Sequence, residues 1–377
     1  MEVVVSLVMT MLEEVATACA DRTNQTHVWD RFLKFKCPGA HIEQTSEWAR
    51  VRQAYGWEPT LVCANRDSTM IGGAMVLTRR VAGLATIGYV ERGPVWDPAE
   101  PGAKRAVTEA LCDFAQSKLA YLVIVPPYEE DGLVSLLDER KFRVKPTHFP
   151  PTGVGTATLL IDLQQDVDTL LAGMSIAKRQ NIRRGIRKGV RVRLGGARDA
   201  ETMRMLVWSA CSRRGIRPSP PQRNYYDMMW RELGTTRKLK FFIAEIEGEP
   251  VSAACVLLSG PSMQLWRVGW SGKYLRHNPN DVLHWEMMRW GKENGYREFD
   301  FMHIPPEHAR KILNGEKILD AYSGVTDFKT GFGGRLRLLP ELYYRCFHPL
   351  LNLVRPAIDF PGLAKLCSRT HRAVRFR

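Results

Sequence analysis

Two short segments hold the residue types from which a reaction could be built. The first, SIAKRQNIRRGIRKGVRVR at 175–193, carries Lys178, Arg179, Arg183, Arg184, Arg187, Lys188, Arg191 and Arg193. On a helix the series 179, 183, 187 shares one face by i, i+4 spacing, and 180, 184, 188 the adjoining one. Like charges this close repel unless a polyanion neutralises them, and phosphate contacts of this kind bind without reading sequence and weaken with salt. A solvated helix face, with arginine stems lying over apolar surface, is the plainer alternative. The second segment, TDFKTGFGGRLRLLP at 326–340, sets Phe328 and Lys329 ahead of Gly331, Gly333 and Gly334. Glycine lets backbones approach closely, and lysine offers a compact charge with three donors. A Walker-type phosphate loop needs a helix after it, whereas RLRLLP alternates like a strand. Local pattern alone therefore reads a glycine-rich hairpin with a surface lysine.

Other residues carry weaker signals. His303, in FDFMHIPP at a strand end, could assist proton transfer or only hydrogen-bond locally, and Asp300 could anchor an amine or serve as a strand-end acceptor. Trp48 and Trp57 read as packing residues rather than stacking platforms. Eight cysteines are scattered with neither a CxxC pair nor Cys/His ligand spacing, so no metal site is expected, and free thiols suit a reducing cytosol. No serine–histidine or paired-carboxylate arrangement competes with the two segments.

These segments must be held by something, and the chain repeats itself. VCANRDSTMIGGAMVL at 62–77 and IAEIEGEPVSAACVLL at 243–258 are the same strand-turn-strand pattern. Around each copy the order recurs. A helix over 41–57 with Ser46 as N-cap precedes the first hairpin; the strand ATIGYVERGPVW, a helix over 104–118 and the strand YLVIVPP follow it. Helices near 199–215 and 223–233 precede the second hairpin; MQLWRVGWS, a helix opened by Asn280 or Asp281, and REFDFMHI follow it. Strands joined through a crossover helix predict a mixed α/β sheet in each half. The domains are expected at 1–155 and 156–345, joined near the Pro/Gly-rich HFPPTGVGT, with a basic extension over 346–377 whose tail AKLCSRTHRAVRFR could touch a membrane surface or RNA or simply end in solvent. Counting Lys and Arg against Asp and Glu gives −2 for 1–160 and +16 for 161–377. Charge of that sign on a folded half points to phosphates, of RNA, nucleotide-linked sugars or lipid heads. No run reaches the ~18 apolar residues of a membrane span. Glu2, Glu13 and Glu14 interrupt the apolar opening, so no signal peptide is expected and the chain reads as cytoplasmic.

From about Gln44 to Tyr344 the chain resembles the Fem family of aminoacyl-tRNA-dependent transferases, the FemABX enzymes that build peptidoglycan interpeptide bridges. QTSEWARVRQAYGW, AKRQNIRRGIRKGV, NYYDMMWREL and DFKTGFGG, in that order, carry the resemblance. It implies two tandem GNAT-like (acyl-CoA N-acyltransferase-like) domains, α/β with mixed sheets flanked by helices, in agreement with the repeat. It further implies transfer of an amino acid from aminoacyl-tRNA, the co-substrate, to an acceptor amine, with no other cofactor and no metal. Catalysis would fall to Lys329, aimed at the developing oxyanion, and to Phe328, positioning the reacting end. Lys178, Arg179, Arg183, Arg184, Arg187 and Lys188 would bind the tRNA.

On the acceptor side the resemblance implies Arg50, where the family has a lysine, together with Tyr225, Trp266 and Asp300. The arginine expected four residues before Tyr225 is replaced by Pro221, with Arg217 and Arg223 as substitutes. An aspartate of one branch falls on Pro126, and a strand tyrosine falls near Val268. By family frequency the default acceptor is a peptidoglycan precursor; because these departures cluster where the acceptor should bind, a natural-product or polysaccharide-linked amine, as in antibiotic biosynthesis, is the second choice. An acyl-CoA N-acetyltransferase would need a Q/R-x-x-G-x-G/A pyrophosphate loop, which neither VWDPAEPGAK nor YLRHNPND supplies. A non-catalytic RNA-binding protein would leave Lys329 dispensable. The resemblance implies a donor of glycyl, alanyl or seryl type.

Overall fold

The computed structural model describes residues 25–81, 85–129, 132–145, 155–218, 220–318 and 323–349. The apolar opening, most of the Pro/Gly-rich join and the basic tail lie outside the described residues. The chain divides into two compact units, Met1–Pro150 with Leu342–Arg377, and Pro151–Glu341.

The first unit begins with a helix over 25–36, α1, and α2 (Ser46–Gln53). Thr45 rather than Ser46 caps α2, its side chain accepting from Trp48 N. Then come β1 (Glu58–Arg66), β2 (Thr69–Val81), β3 (Ala85–Val90), β4 (Val95–Trp96), α3 (Ala103–Lys118), β5 (Tyr121–Ile124), α4 (Leu133–Glu139) and β6 (Arg143–Val144). The second unit runs β7 (Ala157–Asp162), α5 (Val167–Ala172), α6 (Ile176–Arg187), β8 (Arg191–Gly195), α7 (Ala200–Arg213), α8 (Tyr225–Met229), β9 (Leu239–Ile246), β10 (Glu249–Ser259), β11 (Ser262–Trp270), α9 (Pro279–Glu293), β12 (Glu298–Asp300), α10 (Pro306–Leu313), α11 (Ser323–Thr330) and β13 (Arg335–Leu338). A last strand, β14 (Tyr343–Cys346), follows.

The repeated passages are β1–β2 and β9–β10. Both close through two residues with positive φ, Asp67–Ser68 and Glu247–Gly248, the geometry whose twist matches paired strands. In each sheet the third strand of the meander pairs in parallel with the strand after the crossover helix: β3 with β5 across α3, and β11 with β12 across α9. The orders are β1-β2-β3-β5-β14-β6, with β4 on β2, and β13-β7-β12-β11-β10-β9-β8. Burial follows the pleat. In the first unit Val62, Val76, Val90, Leu122 and Ile124 meet Val107, Leu111 and Ala115 of α3; in the second, Leu159, Ile161, Val256, Met263 and Phe299 meet Leu283, Met287 and Met288 of α9.

Two expectations are corrected. REFDFMHI does not close the second sheet, because β7 and β13 extend it beyond β12. The strand β14, expected within 156–345, belongs to the first unit: Tyr343 pairs with Ile124 and with Val144, filling the gap between β5 and β6. Without β14, β5 would leave one edge of its hydrogen-bonding groups unmatched in a largely buried position. A chain ending at Glu341 should therefore lose amide-exchange protection at Tyr121–Ile124 while keeping it at Ser262–Trp270; retained protection at β5 would show that β14 is not part of that sheet in solution.

Candidate active site

The segment carrying Phe328 and Lys329 is a helix, not the hairpin its local pattern suggests. Ser323–Thr330 forms α11, held from α10 by buried His308, whose Nδ1 lies 2.8 Å from Thr326 Oγ1. The glycines then act in turn. Gly333 and Gly334 take φ of +82° and +88°, and a Cβ on Gly333 would stand 2.5 Å from Gly173 O. The strand expected from RLRLLP follows as β13.

Lys329 reaches the end of β12. Its Nζ donates to Phe301 O at 3.0 Å, Met302 O at 2.6 Å and His303 O at 2.9 Å, so all three ammonium donors meet backbone carbonyls. Three consecutive carbonyls can converge because Met302 and His303 both lie in the left-handed region, at φ +49° and +40°. Such residues cost about 1–3 kcal/mol each unless their surroundings hold them. Asp300 holds them here: its Oδ1 accepts from Met302 N at 2.6 Å and from the Thr158 hydroxyl. Phe301 N and Ile304 N stay bonded to β7, at Leu159 O and Ala157 O. β11 meanwhile pairs with β12 only as far as Gln264–Asp300, then continues on β10 alone. The strands thus part where β12 ends, with the lysine at the parting. Burial pushes the Lys329 ammonium down to about 8, opposed by the Asp300 charge.

Phe301, Phe328, Phe332 and His284 form an aromatic box of mutually packed rings, two of which lie under the ammonium of Lys178. His284 stacks on Phe301 at 5.5 Å, with Nδ1 2.6 Å from Asn280 O. Burial pushes this imidazole down to about 3, helped by Lys178 and Lys329, so it is neutral at any physiological pH. Lys178 is the correction in the basic run. It is 7% exposed, with Nζ 2.8 Å from Asp281 Oδ1, 3.4 Å from the Phe328 ring centroid and 4.5 Å from that of Phe332. A desolvated cation over aromatic rings gains about 2 kcal/mol, which helps to offset its burial. It is thus withdrawn from any RNA-facing surface. The signal was in the sequence: 178, 182 and 185 form an i, i+4, i+7 stripe with Ile182 and Gly185, which is the buried face of α6.

The opposite face of α6 meets the expectation of exposure. Arg183, Arg184, Arg187 and Lys188 are exposed, and among the described residues none of the three arginines has a carboxylate partner. Arg179 is half-buried, donating to Ala172 O, and Lys188 donates to Arg276 O. Ser175 caps the helix through Lys178 N.

Of the expected acceptor residues, two come together: Trp266 Nε1 donates to Tyr225 OH at 2.7 Å. Trp266 is the extra residue of a bulge opposite Cys255–Val256, a device that re-aims a side chain. Val268 instead packs against the core, while Arg217 and Arg223 are exposed. Asp300 is 1% exposed and organises the turn, so it is not a surface anchor for an amine, and His303 enters through its carbonyl. Arg50 lies in the first unit, exposed, with Nη1 3.2 Å from Ser46 Oγ. Trp48 packs as expected, and its Nε1 donates to Glu91, which also holds Arg52.

At the ends of β3 and β5, the first unit carries a cluster that the sequence reading missed. Buried Arg92 donates to Pro126 O and lies 4.6 Å from the Tyr128 ring, which His41 meets at 4.4 Å. Among the described residues there is no group of three or more metal-ligating side chains, and no helix is long and apolar enough to cross a membrane. A cavity of about 690 Å³ in the second unit, lined by Asp162, Ser262, Glu298 and Arg335 among others, contains none of the residues of the aromatic box.

Residues 25–145 match the FemAB family, and residues 177–310 match the acetyltransferase (GNAT) domain. The lipid II:glycine glycyltransferase of Staphylococcus aureus is 25% identical over 203 residues, covering 52% of this chain and 47% of that protein, so the chain spans about half the length of the curated relatives it matches. The crystal structure of FemX superimposes with a TM-score of 0.69 at 17% identity, covering 83% of this chain and 94% of that one. The structure of L-PGS from Bacillus licheniformis does so at 0.53 and 15% identity, covering 91% and 95%. The duplicated mixed sheets are therefore tandem GNAT-like domains, and over residues 25–145 the chain is similar to the FemAB family.

Proposed function

We propose that the protein is an aminoacyltransferase that moves an amino acid from aminoacyl-tRNA to an acceptor amine, by default one on a peptidoglycan precursor. The observation that carries this reading is the buried Lys329 ammonium at the parted strand ends beside Phe328, in the same unit as the open arginine face of α6. The similarity to a lipid II:glycine glycyltransferase supports the acceptor class.

In the proposed reaction the amine nitrogen attacks the ester carbonyl, a C–N bond forms, and the C–O bond to the ribose breaks. The proton lost by the amine leaves with the ribose oxygen, carried by the substrates themselves. Between these events the carbonyl oxygen bears negative charge. Lys329 can serve it only by exchanging one backbone carbonyl for that oxygen. A neutral ester oxygen offers little advantage over the carbonyl it would replace, whereas an oxyanion makes a shorter and stronger charge-assisted bond. The exchange therefore favours the transition state over the ground state, which is the condition for acceleration. Phe328 would fix the approach, and Tyr225 and Trp266 would contact the acceptor.

Three measurements test this reading. Labelled aminoacyl-tRNA with candidate amines should give label transfer that RNase abolishes; transfer that survives RNase and needs acetyl-CoA would overturn it. Lys329→Met should lower kcat by about 10²–10³-fold, the loss typical of one oxyanion donor, with RNA affinity kept. Since the cation is the active form and is lost as pH rises through about 8, wild-type kcat should fall above that pH; unchanged turnover in the variant, or no such limb, removes Lys329 from the mechanism. Arg183→Gln with Arg184→Gln should weaken tRNA binding and flatten log K against log salt by about one unit per lost phosphate contact. An unaltered slope would mean a solvated face.

A further inference from the structure

Lys178 lies in the basic run, yet the structure gives it a setting unlike that of its neighbours. It comes from the buried stripe of α6, its ammonium is paired with Asp281 at the start of α9, and it lies against the faces of two rings from α11 and the turn after it. The fit is close: a Cβ on Gly331 would stand 3.0 Å from Lys178 Cε, so the turn after α11 closes directly over the lysine stem. α6 is itself seated against α9, since a Cβ on Gly185 would meet Val282 Cγ2 at 2.5 Å and His277 O at 2.6 Å. Three helices thus converge on one buried ion pair. The residue next to Phe328 is Lys329, so whatever fixes that ring also fixes where the second ammonium can reach.

We propose that Lys178, with Asp281, is a positioning residue of the transfer reaction: it sets the ring of Phe328 and thereby the reach of Lys329 toward the parted strand ends. This rests on the transfer reaction proposed above. The ammonium is held on one side by the Asp281 carboxylate and on the other by the Phe328 ring, and a cation–ring contact fixes the distance and tilt of the ring in a way that an aliphatic stem does not. The same helix presents Arg183, Arg184 and Arg187 outward. Lys178 therefore carries the position of α6 to the reacting residues, although it cannot touch RNA itself.

A buried ion pair can be replaced by apolar side chains without loss of stability, whereas removing one partner leaves an uncompensated charge. That asymmetry separates positioning from mere support. Lys178→Met alone should lower Tm. Lys178→Met with Asp281→Leu should restore Tm, yet kcat should stay about 10–100-fold below wild type, as expected from a small misplacement of reacting groups. KM for aminoacyl-tRNA should change by less than about threefold, because the exposed arginines are untouched. A double variant with wild-type Tm and wild-type kcat would overturn the proposal. Amide exchange over residues 323–330 gives a readout independent of turnover: it should rise in the double variant despite the recovered Tm, and unchanged exchange also overturns the proposal. If wild-type protein transfers no label, the functional reading fails, and the exchange experiment still decides the positional claim.

Discussion

An ammonium removed from water needs an acceptor for each of its donors, and the second unit is organised around meeting that need for Lys329. Its three acceptors are consecutive carbonyls that no regular strand could aim at one point. They converge because Met302 and His303 adopt left-handed geometry, which Asp300 and Thr158 hold by side-chain hydrogen bonds and β7 holds by backbone ones. β7 thus continues the sheet beyond β12 and also keeps the turn after β12 in place. Gly155 belongs to the same constraint, since a Cβ there would stand 2.8 Å from His303 Nδ1.

The two units share a plan and differ in what stands at one place. In each, the carboxyl ends of a parallel strand pair lie where the meander meets the crossover strand, a position where ligand sites recur in α/β sheets. At the ends of β3 and β5 the chain sets Arg92, Tyr128 and His41; where β12 ends and β11 runs on it sets Lys329, Phe328 and the Trp266–Tyr225 pair. Both places concentrate aromatic rings beside a buried cation. In both, the cation is held by backbone carbonyls, Arg92 by Pro126 O and Lys329 by three of them.

Charge counting along the basic run treats eight side chains as equivalent, and helical geometry divides them. Periodicity assigned Arg179, Arg183 and Arg187 to one face and left Lys178 with them as one more cation. On the folded helix Lys178 occupies the same stripe as Ile182 and Gly185, and a lysine on a buried stripe needs both a carboxylate and a ring surface to remain charged. Neither partner is near it in sequence, Asp281 and Phe328 both lying in later helices.

The sequence by itself determined the repeated hairpins, the mixed α/β class, the basic second half and the strand after the glycines. These rest on local signals: alternation, two-residue turns and charge spacing. Tertiary structure alone decided that β14 belongs to the first sheet, that the Phe328–Lys329 segment is helical, that Lys178 pairs with Asp281 under the Phe328 ring and that Asp300 builds a turn instead of facing solvent. Each of these depends on a partner far along the chain, such as Val123 for Tyr344 or Asp281 for Lys178, and contact at that separation leaves no mark on local periodicity.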